Sequence, residues 1–273
     1  MAINQINDFT ITEFVDFEAY LRDTGMLDFR LTELQNFTLN ATQDKTELTG
    51  KNGRTIGYKK QNKKISGEGT YGMISAGLMK TQTGGEITNG KYKVKKSELK
   101  VVSGATLVID AKAVGVEGAE IAYLKVLAPN GSVSTTYEQG VSADATHFAY
   151  NPTNKTIILP VDSSDHPVIA DGTKVLYAYE REVEGTKVTN PSDNFSEVRE
   201  VWIHCFGTDA CDNEYYAAIR IARADFSGEF SLAIGGDQTV HNFSFDGMTD
   251  LCNPVGDGAD LFDLIIYTDE ASA

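Results

Sequence analysis

From Phe29 to Thr42, FRLTELQNFTLNAT, Phe37, Leu39 and Ala41 alternate with Thr38, Asn40 and Thr42, the period-2 pattern of a half-buried strand. Short apolar runs then recur between turns: ATLVIDA, IAYLKVLA, SVSTTYE, KTIILPV, KVLYAYERE, EVREVWIHCF, EYYAAIRIARA, EFSLAIG, TVHNFSF and LFDLIIYT. Pro-Asn-Gly at 129–131 and Asp-Gly at 171–172 punctuate them as turns. Such a chain is predicted to be all-β, a mostly antiparallel sandwich or barrel. Two stretches depart from the pattern. Residues 12–24, TEFVDFEAYLRDT, space their apolar positions unevenly and predict a short helix or an arm. Residues 46–70 hold few apolar side chains and predict a protruding β-hairpin, with Gly50, Asn52 and Gly53 supplying its turn. Just beyond, Met73, Ile74, Leu78 and Met79 recur near helical spacing and predict one short packed helix, stopped by Gly84 and Gly85. The chain is read as one domain over 1–273, with 101–150 as a candidate inserted lobe.

Charge sharpens the reading of the hairpin. Residues 51–100 hold 12 Lys+Arg against 3 Asp+Glu, net +9, and the rest of the chain 12 against 36, net −24, which sums to −15. A charge run is often a solvated face. A basic projection on an acidic body can also seat on the next copy of the same chain, and head-to-tail contacts that do not close build filaments. Lys51, Arg54, Lys59, Lys60, Lys63 and Lys64 are the candidate contact residues. The overall acidity argues against a primary nucleic-acid binder. KYKVKKSELK at 91–100 has too few apolar residues for a buried strand and reads as a solvated edge.

The remaining candidate chemistry is thin. Gly67, Gly69 and Gly72 form a G-x-G-x-x-G, but the polar YKKQNKKIS before it is unlike the apolar first strand of a dinucleotide fold, so these glycines are expected to serve backbone geometry and no cofactor is expected. Cys205, Cys211 and Cys252 lack CxxC spacing, and Cys205 alternates with Val201 and Ile203 as a buried strand thiol would. His204 beside it makes HCFGTDAC only a partial zinc pattern. His147, His166, His204 and His241 are scattered, and no GxSxG, HExxH or P-loop occurs, so no enzyme is expected. Asp257, Asp260 and Asp263 resemble part of a calcium loop without EF-hand spacing and read as a polar turn, so no metal is expected. The amino terminus lacks a secretory pattern and no run approaches the ~20 apolar residues of a membrane span, which predicts synthesis in the cytoplasm and no membrane insertion.

Phe17-Glu-Ala-Tyr-Leu-Arg-Asp-Thr-Gly25, Leu34-Gln-Asn-Phe-Thr-Leu39, Thr49-Gly-Lys-Asn-Gly53-Arg54, and Ile74-Ser-Ala-Gly-Leu78 with Thr83-Gly84 together resemble the tail tube (major tail) proteins of tailed bacteriophages. So do Thr156-Ile-Ile-Leu159, Gly172-Thr-Lys-Val-Leu-Tyr-Ala-Tyr179 and the carboxy-terminal LFDLIIYTDE. The likeness covers 17–85 and 155–268 and leaves 101–150 unmatched. It implies a β-sandwich or barrel with a flanking helix, and six copies in a ring whose inner strands join into one β-barrel. Rings stack, with a hairpin in the place of Lys51 to Lys64 reaching the neighbouring ring. It further implies partners: the chain itself, a tape measure protein, baseplate and tail terminator proteins, and in some tails a sheath. DNA would pass only in transit through an acidic lumen, and the protein would reside in the virion after assembly in the host cytoplasm. The alternative reading is a β-sandwich binding or adhesin module of a phage or bacterial surface structure. That reading needs exposed aromatics on one sheet face, and the chain offers one tryptophan, Trp202.

Overall fold

A computed structural model describes residues 8–109, 112–229, 231–233, 240–249 and 260–268. Alternation governs the chain as expected, and the described residues form strands with one α-helix. The strands are β1 (Thr10–Tyr20), β2 (Leu27–Leu31), β3 (Leu34–Thr49), β4 (Thr55–Tyr71), β5 (Glu86–Val101), β6 (Thr106–Val108), β7 (Ile121–Leu127) and β8 (Val133–Gly140). They continue with β9 (His147–Asn151), β10 (Thr156–Ile158), β11 (Lys174–Thr189), β12 (Val198–Thr208), β13 (Glu214–Phe226), β14 (Ser231–Ala233), β15 (Val240–Gly247) and β16 (Asp263–Tyr267). Helix α1 is Ala76–Thr83.

Contacts divide the chain into two units, one of Met1–Ile87 with Val188–Ala273 and one of Thr88–Lys187. The first is built on a sheet of order β2-β1-β12-β13-β15-β4-β3, with β14 against β15 and β16 against β13. Its core is aromatic. Phe17, Phe29, Phe226, Phe243 and Phe245 are buried together, and the Phe17 and Phe243 rings meet edge to face at 5.2 Å, a favoured ring geometry. The second unit has the sheet order β5-β11-β7-β8-β9-β10-β6, with β8 and β9 its parallel pair. Its core gathers Leu107, Ile121, Leu124, Phe148, Ile157, Val175, Tyr177 and others from within that unit. Tyr177 and Tyr179 both donate to Glu98, at 2.8 and 2.7 Å. Burial alone would raise this carboxyl, but bonds from Lys96 and the two tyrosines hold it down at about 2. The solvated-edge reading of 91–100 matches the place of β5 at the end of this sheet.

Residues 12–24 correct the expectation of a helix or arm. Most of them lie in β1, which pairs with β12 and β2. Phe17 and Ala19 point into the core while Asp16, Glu18 and Tyr20 alternate onto the other face, a period of 2 that the acidic residues between the aromatics obscure.

The helix is shorter than its apolar spacing suggests. Ser75, extended at φ −105°, accepts from the Leu78 amide and so fixes the start as an N-cap. Met73 and Ile74 therefore lie ahead of the helix and are exposed, at 48% and 53%. Leu78 is buried and Met79 half-buried. Gly84 ends the helix in the left-handed region at φ 63°, as its place after the last turn predicts. The other buried helix residues are Thr81, Gln82 and Thr83, so α1 docks largely through polar groups. Asp28 takes bonds from Lys80 at 3.1 Å, Thr81 at 3.3 Å and Arg199 at 2.8 Å. Its burial favours the neutral acid, yet the bonds from Arg199 and Lys80 prevail and hold its carboxyl below the ordinary value. Gln82 donates to the Glu229 and Asn242 carbonyls and meets the buried His241 ring at 2.8 Å.

Candidate functional site

The hairpin is β3 and β4, joined by a single 3-10 turn at Lys51–Gly53. Asn52 and Gly53 turn at φ 66° and 71°, and the Gly50 amide closes on the Arg54 carbonyl at 2.7 Å. Pairing runs from Leu34↔Tyr71 to Thr49↔Thr55. Beyond Ala41↔Ile65 the ribbon leaves the core: from Ala41 to Lys64 every residue except Gly50 and Gly57 is exposed. The projecting part is thus 41–64: the range 46–70 starts five residues late on β3 and takes in 65–70, which pair within the sheet and are mostly buried or half-buried. The physical reason is that β3 changes from half-buried alternation to a mostly polar, exposed sequence after Leu39, in which even Leu48 is exposed, with no break in the strand.

Lys51, Arg54, Lys59, Lys60, Lys63 and Lys64 are all brought onto this ribbon and are exposed. None makes an ion pair among the described residues. Over 41–64 there are seven Lys+Arg against two Asp+Glu, net +5, so the remaining residues of the −15 chain carry −20. Lys45 and Lys60 sit directly opposite each other, an arrangement that destabilises an isolated ribbon. Ile56 and Tyr58 near the tip are 72% and 60% exposed. The far edge of β3 pairs with no strand among the described residues, and β2 ends the sheet on the other side. Sixteen residues of open edge are a template for pairing with another chain.

Gly67 and Gly69 of the G-x-G-x-x-G lie within β4, paired in the sheet, and only Gly72 falls in the short link between β4 and α1. Gly67 and Gly69 stand opposite Phe245 and Phe243 in the β4–β15 pairing. A Cβ on Gly67 would fall 2.3 Å from the Phe245 ring, and one on Gly69 2.7 Å from the Phe243 ring. Each phenylalanine packs where its partner's side chain would be, so these two glycines serve backbone approach. Gly72 is less crowded, its nearest neighbour the Gln35 side chain at 3.1 Å. The spacing of the glycines is visible in sequence; the facing phenylalanines, far along the chain, are not.

Cys205 is buried with Val201 and Ile203, and burial pushes its thiol up. Cys211 is exposed; Cys252 and Asp257 lie outside the described residues. Asp260 is exposed, and Asp263 faces Arg220 at 3.6 Å. His147 bonds Asp144 and His166 faces Asp162. His241 is buried against Gln82, and His204 stacks on Trp202.

A β-sheet protein with a long open edge and an exposed charged ribbon has the parts of a self-assembling structural subunit. A family model described as the YomU/Tube protein family matches residues 9–255, and the chain belongs to that family of phage tail tube proteins. No curated relative matches.

Proposed function

We propose that copies of this chain form six-membered rings that stack head to tail into the hollow tube of a phage tail, through which DNA is delivered. The observation that carries the reading is the open edge of the 16-residue strand β3, whose first part, 34–40, lies along the sheet and whose remainder is one leg of the basic projecting ribbon. Pairing that edge with a neighbour removes the exposed amide and carbonyl row and lets strands continue between subunits as one barrel. The ribbon, net +5 against −20 elsewhere, then reaches an acidic surface of the next ring. An acidic lumen passes DNA without holding it, because a lining of like charge releases no counterions to favour binding. On this reading the protein is not an enzyme. Its partners are itself, a tape measure protein, baseplate and terminator proteins, and a sheath where the tail has one. It resides in the virion, after assembly in the host cytoplasm.

Electron microscopy of the purified protein tests this. Rings and hollow tubes are expected, spontaneously or once tail-initiator components are supplied. A protein that stays monomeric at high concentration with initiators present overturns it.

A further inference from the structure

On the face of β1 and β12 turned away from the phenylalanine core, Asp16 stands directly opposite His204, and Glu18 opposite Trp202. Successive residues of a strand alternate faces, so Asp16, Glu18 and His204 share one surface, with Cys205 on the other. A carboxylate oxygen from each acid and an imidazole nitrogen lie within 4.8 Å of one another, and His204 Nε2 is 3.6 Å from Glu18 Oε2. Donors that each sit ~2.0–2.2 Å from one cation are separated by roughly 3–4 Å. The cluster needs only small side-chain movements to reach that spacing.

A second observation points to a ligand. The Asp16 side chain is only 6% exposed. Its Oδ2 accepts from Arg30 at 2.6 Å, while its Oδ1 is buried with no partner among the described residues. A buried carboxylate oxygen left without a donor carries a desolvation cost that calls for a compensating group. Arg30 does not supply it. Its guanidinium addresses Oδ2 and, at 3.5 Å, Glu18 Oε1, so one positive charge serves two carboxylates and an uncompensated negative charge remains.

We infer that Asp16, Glu18 and His204 bind a first-row divalent transition cation. Two carboxylates and one imidazole suit Mn²⁺ or Zn²⁺, whereas imidazole is a poor partner for Ca²⁺. The surrounding groups already orient the donors, as outer partners do in metal sites. Arg30 holds Asp16, the Tyr20 hydroxyl donates to Glu18, and Trp202 stacks against His204 with 9° between the rings. Asp16 is buried, while the Glu18 and His204 side chains are 17% and 30% exposed, so the site opens to solvent on one side. A cation there ties β1 to β12 beside the end strand β2.

Titrating the full chain with Mn²⁺ and following loss of the free-ion six-line EPR signal tests this in assembled or unassembled protein alike. One bound ion per chain is expected, with a directly coordinated imidazole nitrogen in the electron spin echo modulation of wild-type protein. His204→Ala and Glu18→Gln should each weaken binding roughly 10–100-fold or more, while His147→Ala and His166→Ala, at the exposed His–Asp pairs, leave it unchanged. Absence of bound Mn²⁺, of the nitrogen modulation, or of any effect of His204→Ala overturns the site, and Asp16 Oδ1 is then a place for ordered water.

Discussion

At the residue scale, a tight constraint within the aromatic core is Gly67 beneath Phe245. Any side chain there must displace a ring that is 2% exposed and packed against Phe17, Phe37 and Phe226. Gly67→Ala is expected to cost about 1–3 kcal/mol, the usual range for overpacking a filled core, whereas Gly57→Ala, with nothing within 4 Å of the added carbon, should be near neutral. Urea unfolding of the two variants checks this, and equal stabilities would mean that the ring moves aside freely. The buried titratable groups set a second expectation. His241 is driven below its ordinary 6.5 by burial, so the unfolded chain takes up that proton first and stability falls as pH drops below about 6.5. Asp28 is also depressed. Its contribution is present above the ordinary 3.8 and is lost as pH falls through the lower folded value. His241→Gln should flatten the first limb of a stability–pH profile and Asp28→Asn the second; unchanged slopes would remove these groups from the acid response.

At the element scale, the ribbon is the part of the candidate site most visible in sequence, because its lysines and turn glycines are contiguous. The strand that leads into its first leg is legible from the alternation of Phe37, Leu39 and Ala41, but the point at which that strand leaves the core is not, because no turn or break marks it. The helix is legible at its end, where Gly84 acts locally, but not at its start, because the apolar Met73 and Ile74 precede the Ser75 cap and stay exposed. β1 was missed because acids interrupt its aromatics, and those acids meet His204 only through pairing with a strand nearly two hundred residues away. Local chemistry is readable; register between distant strands is not. The ribbon's role yields a direct expectation. In the proposed stacked rings each exposed lysine–acid contact would contribute only about 0.2–1 kcal/mol, and a ring of six would repeat every contact. Reversing Lys59, Lys60, Lys63 and Lys64 to glutamate should leave the monomer folded, since all four are exposed, and stop tube elongation. Normal tubes from this variant under electron microscopy would return the ribbon to a solvated loop.

At the scale of the whole molecule, charge and architecture divide in the same place. Residues 88–187 hold eleven Lys+Arg against twelve Asp+Glu, net −1, so of the −15 total the other unit carries −14, even with the basic ribbon included. The acidity that the proposed assembly uses therefore belongs to the unit that bears β3 and β4. The 88–187 unit buries its own core, from Val102 to Tyr179, and the chain enters and leaves it through β5 and β11, which are neighbours in one sheet. A segment with its own core and adjacent ends has the anatomy of an independently folding insertion, and closing so long a loop differs little in entropy from closing a short one. Expressed alone, Thr88–Lys187 should give a cooperative thermal transition and a β-type circular dichroism spectrum. The complementary deletion, joining Ile87 to Val188 by a short turn, should keep the other unit folded and still form tubes. Because the charge asymmetry survives the deletion, elongation of both forms should weaken in parallel as salt rises past ~0.1–0.15 M, where the Debye length is about 8–10 Å. An unfolded fragment, or a deletion variant that no longer responds to salt, would show that residues 88–187 contribute to the fold or to the ring contacts of the rest of the chain.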